Sequence, residues 1–136
     1  MGAEQRVEIA GEEGIVAARQ GARDAARRLG FGLVDQSRIA TAVSELARNV
    51  VRYATGGRGE ATIRDVETPD RRVGLEVVVH DDGPGIINLE LAMRDGFSGG
   101  TGLGMGLPGT KRLMDDFMIE SDPRRGTTVT IRKWRR

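Results

Sequence analysis

The sequence predicts an α/β fold of the α+β two-layer type: a mixed, mostly antiparallel sheet with helices on one face. Three observations predict it. Two long stretches, 15–29 and 35–54, repeat apolar residues at helical spacing. Four later stretches are short, rich in β-favouring residues and bounded by turn signals. Among those strands lies Gly96–Gly109, with seven glycines in fourteen residues, where average composition supplies roughly 7%.

Taken in order, Val7–Ile9 reads as a short first strand. Glu12 and Glu13 then open a helix whose apolar stripe is Ile15, Ala18, Ala22, Ala25, Ala26 and Leu29. Acidic residues suit a helix N-terminus, and Gly30 suits its end. A second helix runs from an Asp35 cap to about Ala54, with Ile39, Val43, Leu46 and Val50 on its core face. Gly56, Gly57 and Gly59 break it. Ala61–Val66 and Val73–His80 read as strands joined by a polar turn containing Pro69 and Asp70. A short helix is expected around Leu89–Met93, and a third main helix over Leu107–Asp115, with Pro108 in its first turn. Phe117–Ser121 and Thr127–Lys133 close the chain as a hairpin around Pro123–Gly126. No internal repeat or dividing linker interrupts this order, so residues 1–136 are expected to form a single domain.

Composition narrows the function. A formal net charge of +1 supplies no field that would draw the chain to nucleic acid or an anionic membrane. Nineteen of the 21 basic residues are arginine, a bias that carries no chemistry by itself. The absence of cysteine removes disulfides, thiol catalysis and thiolate-bound zinc. No apolar run approaches the ~20 residues that span a bilayer. Met1–Glu12 lacks a signal-peptide pattern, and Arg6 occupies the position where a myristoylation motif needs Ser or Thr. A cytoplasmic location is expected. The basic end, Arg132–Arg136, is expected to be a frayed, soluble terminus. His80, the one histidine, has no partner at metal-ligand spacing and is expected to be structural.

Four short patterns carry the chemistry. Glu45 and Asn49 share one stripe of the second helix, set about a quarter-turn from its apolar face at about 100° per residue. A carboxylate and a carboxamide there can accept a proton and hold a hard cation through oxygen, although the pair alone also describes a solvated flank. Asp81-Asp82-Gly83-Pro84-Gly85-Ile86 follows a valine-rich strand. Its glycines let a flat ligand approach the backbone, and a carboxylate there can accept from an exocyclic amine; a plain Asp-Gly turn is the other reading. Gly99–Leu107 presents bare amides before a helix, an anion site for phosphates, with Lys111 and Arg112 one turn on; a solvent loop is the other reading. Gly126-Thr127-Thr128 opens the last strand with a hydroxyl that can reach a nucleotide through a water; a glycine turn before β-favouring threonines is the other reading, so this pattern only supports the others.

Two other matches fail on context. Gly104-x-Gly106-x-x-Gly109 satisfies a dinucleotide fingerprint but follows no strand, and the 27 residues after it cannot complete that fold. Thr110 separates Gly109 from Lys111, so the Walker lysine pattern is missing.

In this order the four patterns resemble the GHKL superfamily of gyrase, heat-shock chaperone, histidine kinase and mismatch-repair ATPases. That resemblance implies the Bergerat-type ATP-binding fold. Within it, the chain is similar to the small serine kinases and anti-sigma factors of bacterial partner switching, above all to the RsbT-type switch kinases of the stressosome. The likeness runs through Ile15–Gln20, Gly30–Gly32, Val34–Gln36, Ser44–Asn49 and Asp95–Lys133; the most specific part is Gly106–Asp115.

The resemblance implies phosphoryl transfer from ATP to a serine or threonine of a STAS-domain antagonist protein, and activation of a PP2C-type phosphatase by the released kinase. It implies that Glu45 is the general base and that Asn49 ligates Mg²⁺. Asp81 would bind the adenine amine, with Gly83, Gly85 and Ile86 around the ring. Gly100, Gly102, Gly104, Gly106 and Leu107 would cover the phosphates, with Lys111 adding charge, and Thr127 would touch the adenine end. Asp82 departs from relatives that carry an amide, placing extra negative charge near the nucleotide unless it faces solvent. Arg48, about 180° from the apolar stripe, suits a partner contact near the acceptor site, and equally a solvated arginine. The competing readings are a nucleotide-gated anti-sigma factor, whose output is binding, and simple ATP hydrolysis.

Overall fold

The alternation and helical periods become five strands and three helices within the residues that the computed structural model describes, 3–83, 106–122 and 124–136. In chain order these are β1 (Glu4–Ala10), α1 (Gly11–Arg28), α2 (Leu33–Tyr53), β2 (Arg58–Glu67), β3 (Val73–Asp81), α3 (Gly106–Leu113), β4 (Asp116–Asp122) and β5 (Gly126–Trp134), with a 3-10 turn at Thr55–Gly57. The sheet order is β1-β2-β3-β5-β4, and every described ladder is antiparallel. The short helix expected around Leu89–Met93 lies outside the described residues.

Two boundaries differ from expectation for local reasons. β1 begins at Glu4 because its polar residues pair with β2 along their whole length, from Glu4↔Arg64 to Ala10↔Arg58. Apolar alternation sees only Val7 and Ile9, whose side chains are buried. α2 begins at Leu33 with Gly32 as its cap residue, so Asp35 is not the cap. Asp35 instead sits in the first turn, where its charge complements the helix dipole and pairs with Arg38 at 2.9 Å.

All ten stripe residues expected on the first two helices are buried. They meet Ile9, Ile63, Leu75, Val77 and Ile131 from one face of the sheet. Complete burial of each such aliphatic side chain contributes ~1.5–3 kcal/mol, so this face holds the two layers together. Alanine at four of six positions on the α1 stripe lets that helix lie close to the strands.

The opposite face of the sheet carries a row of alternating charge. Glu4, Arg64, Glu76, Arg132 and Asp116 stand opposite one another on β1, β2, β3, β5 and β4. At the centre, Glu76 is 2% exposed, and both its oxygens are engaged: Arg64 Nη2 lies 2.6 Å from Oε1, and Arg132 Nε 2.6 Å from Oε2. Opposite charges on neighbouring strands favour this register over a slipped one. A second fastening is made by Arg28, which grips Asp65 through two hydrogen bonds of 3.0 and 3.1 Å and ties the end of α1 to β2.

The basic C-terminal residues are tied down rather than frayed. Trp134 donates its backbone N–H to Asp115 and its indole N–H to Asp116, at 2.7 and 2.9 Å, while Arg72 stacks over its ring. Arg135 donates to the Leu29 carbonyl at the end of α1, and its backbone N–H bonds Val73. Lone basic residues read as solvated in sequence, but here they close orphan carbonyls and pair carboxylates.

Asp115 is the hub of this corner. Burial pushes its carboxyl up, but the bond from Trp134 and the charges of Lys133 and Arg136 outweigh that and hold it below the usual carboxylate range. Such a group stabilises the fold above its unfolded value of about 3.9 and loses that contribution as pH falls toward the lower folded value. Asp115→Asn is therefore expected to cost ~1–3 kcal/mol at neutral pH. Urea unfolding at several pH values should show the deficit shrinking below about pH 4. A deficit that is constant with pH would contradict this account.

Candidate functional site

At one end of the sheet, four residues form a row on the helix-facing side: Gly59, Asp81, Thr127 and Ser121, on β2, β3, β5 and β4. Asp81 closes β3, and its carboxylate accepts the Gly83 N–H at 2.8 Å, so the side chain is fixed where the strand turns. Thr127 faces it across the β3–β5 ladder and shares a 2.9 Å hydrogen bond with Ser121. Sequence reasoning missed Ser121; its signal was the hairpin register that sets it opposite Thr127.

Two glycines make this corner possible. A Cβ on Gly126 (φ +82°) would lie 1.9 Å from the Asp81 carbonyl oxygen, so only glycine lets β5 start beside Asp81. A Cβ on Gly59 would lie 2.5 Å from the His80 carbonyl oxygen and 2.8 Å from Val50 Cγ1. Gly59 thus lets the C-terminal half of α2 descend onto the end of β3. Asn49, next to Val50, is brought by that contact to the same end of the sheet as Asp81.

α2 carries the acid. Glu45 is buried, its side chain 12% exposed, and Arg48 Nη1 donates to its Oε1 at 2.8 Å. Arg48 lies about 180° from the apolar stripe, yet it is only about 60° from Glu45 on the wheel. The side chain of Arg48 is therefore not simply solvated: it is 31% exposed and holds the carboxylate in place. Asn49, one turn further, is half-buried. Among the described residues no cluster of three or more His, Cys, Asp or Glu could hold a metal ion. A single carboxamide oxygen is the kind of protein donor that suits Mg²⁺ when phosphate oxygens and water supply the remaining ligands.

α3 starts where the glycine-rich stretch ends. Gly106 and Leu107 are buried in its first turn, and the buried Thr110 hydroxyl donates to the Gly106 carbonyl at 3.0 Å. Lys111 is exposed in the last turn, with no hydrogen bond or ion pair to Glu45, Asn49 or Asp81 among the described residues. Gly85, Ile86, Gly100, Gly102 and Gly104 lie outside the described residues.

His80 and Asp82 lie beside the site but belong to the other face. The His80 ring bridges Thr128 at 2.7 Å and Asp82 at 3.0 Å, and the Asp82 side chain is 91% exposed. The additional carboxylate thus faces solvent and a histidine, rather than the Asp81 corner.

This arrangement places a fixed carboxylate at a strand end, a helix with an acid and an amide, and a glycine-led helix around one end of the sheet. The histidine kinase-like ATPase domain is matched over residues 10–133. The chain belongs to that family. It is 50% identical over 130 residues to the serine/threonine-protein kinase RsbT of Bacillus subtilis (strain 168), with 96% of each chain covered. It is also 36% identical over 102 residues to an anti-sigma F factor of Caldanaerobacter subterraneus subsp. tengcongensis, covering 71% of this chain and 68% of that one.

Solved structures agree on the fold. The RsbU and RsbW domains of Rv1364c from Mycobacterium tuberculosis superpose with a TM-score of 0.64 at 20% identity, over 100% of this chain and 33% of that one. The mycobacterial sensor histidine kinase MprB gives 0.58 at 20% identity, over 98% and 99%. Within the histidine kinase-like ATPase family, the half-identical, nearly full-length relative sets the enzyme class as protein serine/threonine kinase, using ATP. No helix among the described residues is long and apolar enough to cross a membrane.

Proposed function

We propose that this kinase phosphorylates a serine or threonine of a STAS-domain antagonist in a bacterial stress-response partner-switching pathway of the stressosome type, and that once released it activates a PP2C-type phosphatase. The observation that carries the reading is the buried Glu45 carboxylate, held by Arg48 one turn from Asn49 and facing no other described cation. Arg48 occupies Oε1, which leaves Oε2 to accept the proton of an incoming hydroxyl. The half-identity to a serine/threonine-protein kinase supports a protein hydroxyl over water as the acceptor.

Asp81 accepts from the adenine amine in this reading, with Gly83 and Thr127 beside the base. Asn49 is the protein ligand for Mg²⁺, which when bound neutralises charge on the phosphates. Gly106 and Leu107 present the N-terminus of α3 toward the phosphates, continuing a cover supplied by Gly100, Gly102 and Gly104. Lys111 contributes at most a distant charge. Positioning and electrostatics then supply most of the rate, because phosphoryl transfer leaves little covalent work to a protein.

The test mixes the purified chain, Mg·ATP and a STAS-domain protein, and follows phosphate on serine or threonine by mass spectrometry. Stoichiometric transfer is expected; its absence would overturn the kinase substrate assignment. The resemblance to anti-sigma F factors favours a second reading, in which nucleotide gates the sequestration of a sigma factor. A pull-down that recovers a sigma factor, with no transfer to the STAS protein, would favour it.

A further inference from the structure

A shallow groove of about 390 Å³ lies at the N-terminal end of α2, lined by Leu33, Val34, Ser37, Arg38 and Thr41 and closed by Leu113 at the end of α3. Leu33 and Val34 are 76% and 64% exposed, two adjacent aliphatic side chains left on the surface of a helix whose other face is fully packed. Nothing in their own packing explains them. The rim carries more positive than negative charge: Arg38, paired with Asp35 at 2.9 Å, stands on α2, and the exposed Lys111 stands near Leu113 in the last turn of α3.

The groove leads to the acid. Val34, Arg38, Thr41 and Glu45 follow one another at four-, three- and four-residue steps, so they share one stripe of α2. Thr41 is one turn, ~6 Å, from Glu45, and Val34 is ~16 Å from it at 1.5 Å per residue. A buried lysine also makes the groove rigid. Lys133 donates to the Leu113 carbonyl at 2.8 Å and sits 3.8 Å from Asp35 and 3.7 Å from Asp115. It therefore clamps the start of α2 to the end of α3, the two walls of the groove. A surface fixed in this way loses little freedom when a partner settles on it.

We infer that this groove is the docking site for the acceptor protein, which places an aliphatic anchor between Leu33, Val34 and Leu113 and flanks it with acidic residues against Arg38 and Lys111 on the rim. Its phosphorylated hydroxyl lies ~16 Å from the anchor, a distance spanned by about five extended residues or three helical turns. The inference rests on the kinase reading above and adds to it the chemistry by which the acceptor is chosen.

Leu33→Glu combined with Val34→Glu tests it, since both side chains are exposed and their replacement leaves the core intact. Initial rates with Mg·ATP and a STAS-domain acceptor are expected to show KM for the acceptor raised about tenfold or more, with kcat and ATP affinity within about twofold of the parent. Arg38→Glu should raise the same KM, more strongly at low salt. The chain has no cysteine, so a dye on Ser37→Cys reports occupancy of the groove independently of transfer. Transfer by the double variant at the parental KM would overturn the docking site and leave the kinase reading standing. A dye response that the double variant abolishes, without transfer by the parent, would overturn the kinase reading and support the groove. Neither dye response nor transfer would overturn both.

Discussion

Glu45→Ala is expected to slow phosphoryl transfer to a protein acceptor by about 10²–10⁴-fold while leaving ATP affinity within about twofold. The separation follows from position. Glu45 lies a turn before Asn49 on α2, whereas the residues proposed to hold the base, Asp81, Gly83 and Thr127, belong to the end of the sheet. Losing the carboxylate therefore removes a contact made to the acceptor hydroxyl in the transition state, and none made to the nucleotide. Stability should change little, because the Arg48 left behind is 31% exposed and an i,i+3 pair contributes only ~0.2–0.5 kcal/mol. Arg48→Ala provides the matched control. It keeps the acid but frees its orientation, so an intermediate loss of kcat is expected, with unchanged ATP affinity. Single-turnover transfer and calorimetric ATP titration check both variants. Undiminished transfer by Glu45→Ala would remove the general base from the mechanism, and a parallel loss of ATP affinity would reassign Glu45 to nucleotide binding.

The fold was legible in the sequence wherever side chains repeat with a period. The stripes of α1 and α2 name their buried residues correctly because both helices bury one continuous face. β1 was read too short because half of it displays charge on the open face of the sheet, where cross-strand pairing with β2 sets its limits. For the same reason Glu76 went unnoticed: a carboxylate inside a valine-rich strand signals nothing until the register brings Arg64 and Arg132 to either side. The site divides along similar lines. Glu45, Asn49 and Asp81 stand in patterns of fixed spacing, so their types and order can be read directly. The pairing of Arg48 with Glu45 was not read because angle from the core stripe was taken as exposure, while a long guanidinium crosses 60° of helix surface to reach a carboxylate. Lys133 has meaning only through Leu113 and Asp35 on two helices, which no local pattern encodes, and Ser121 only through the hairpin register that sets it opposite Thr127.

Gly126→Ala is expected to destabilise the chain by roughly 3 kcal/mol or more and to weaken ATP binding about tenfold or more, although position 126 carries no functional group. Two costs combine. At φ +82° an alanine pays the left-handed penalty of ~1–2 kcal/mol. The new Cβ would also lie 1.9 Å from the Asp81 carbonyl oxygen, 2.8 Å from its carbonyl carbon and 2.9 Å from Asp82 Cα. All three are backbone atoms, so the conflict cannot be relieved by a rotamer change. β3 and β5 must separate at the Asp81–Thr127 pair, which shifts the carboxylate proposed to bind adenine. Gly11→Ala isolates the first cost, since Gly11 has φ +68° and its added Cβ would meet nothing within 4 Å. Urea unfolding of both variants, with calorimetric ATP titration, separates the terms. The Gly11 variant should lose about 1 kcal/mol and keep its ATP affinity. Equal stability of the two variants would show that β5 can yield at Gly126. Undiminished ATP binding by a destabilised Gly126→Ala would show instead that the Asp81 corner lies away from the nucleotide.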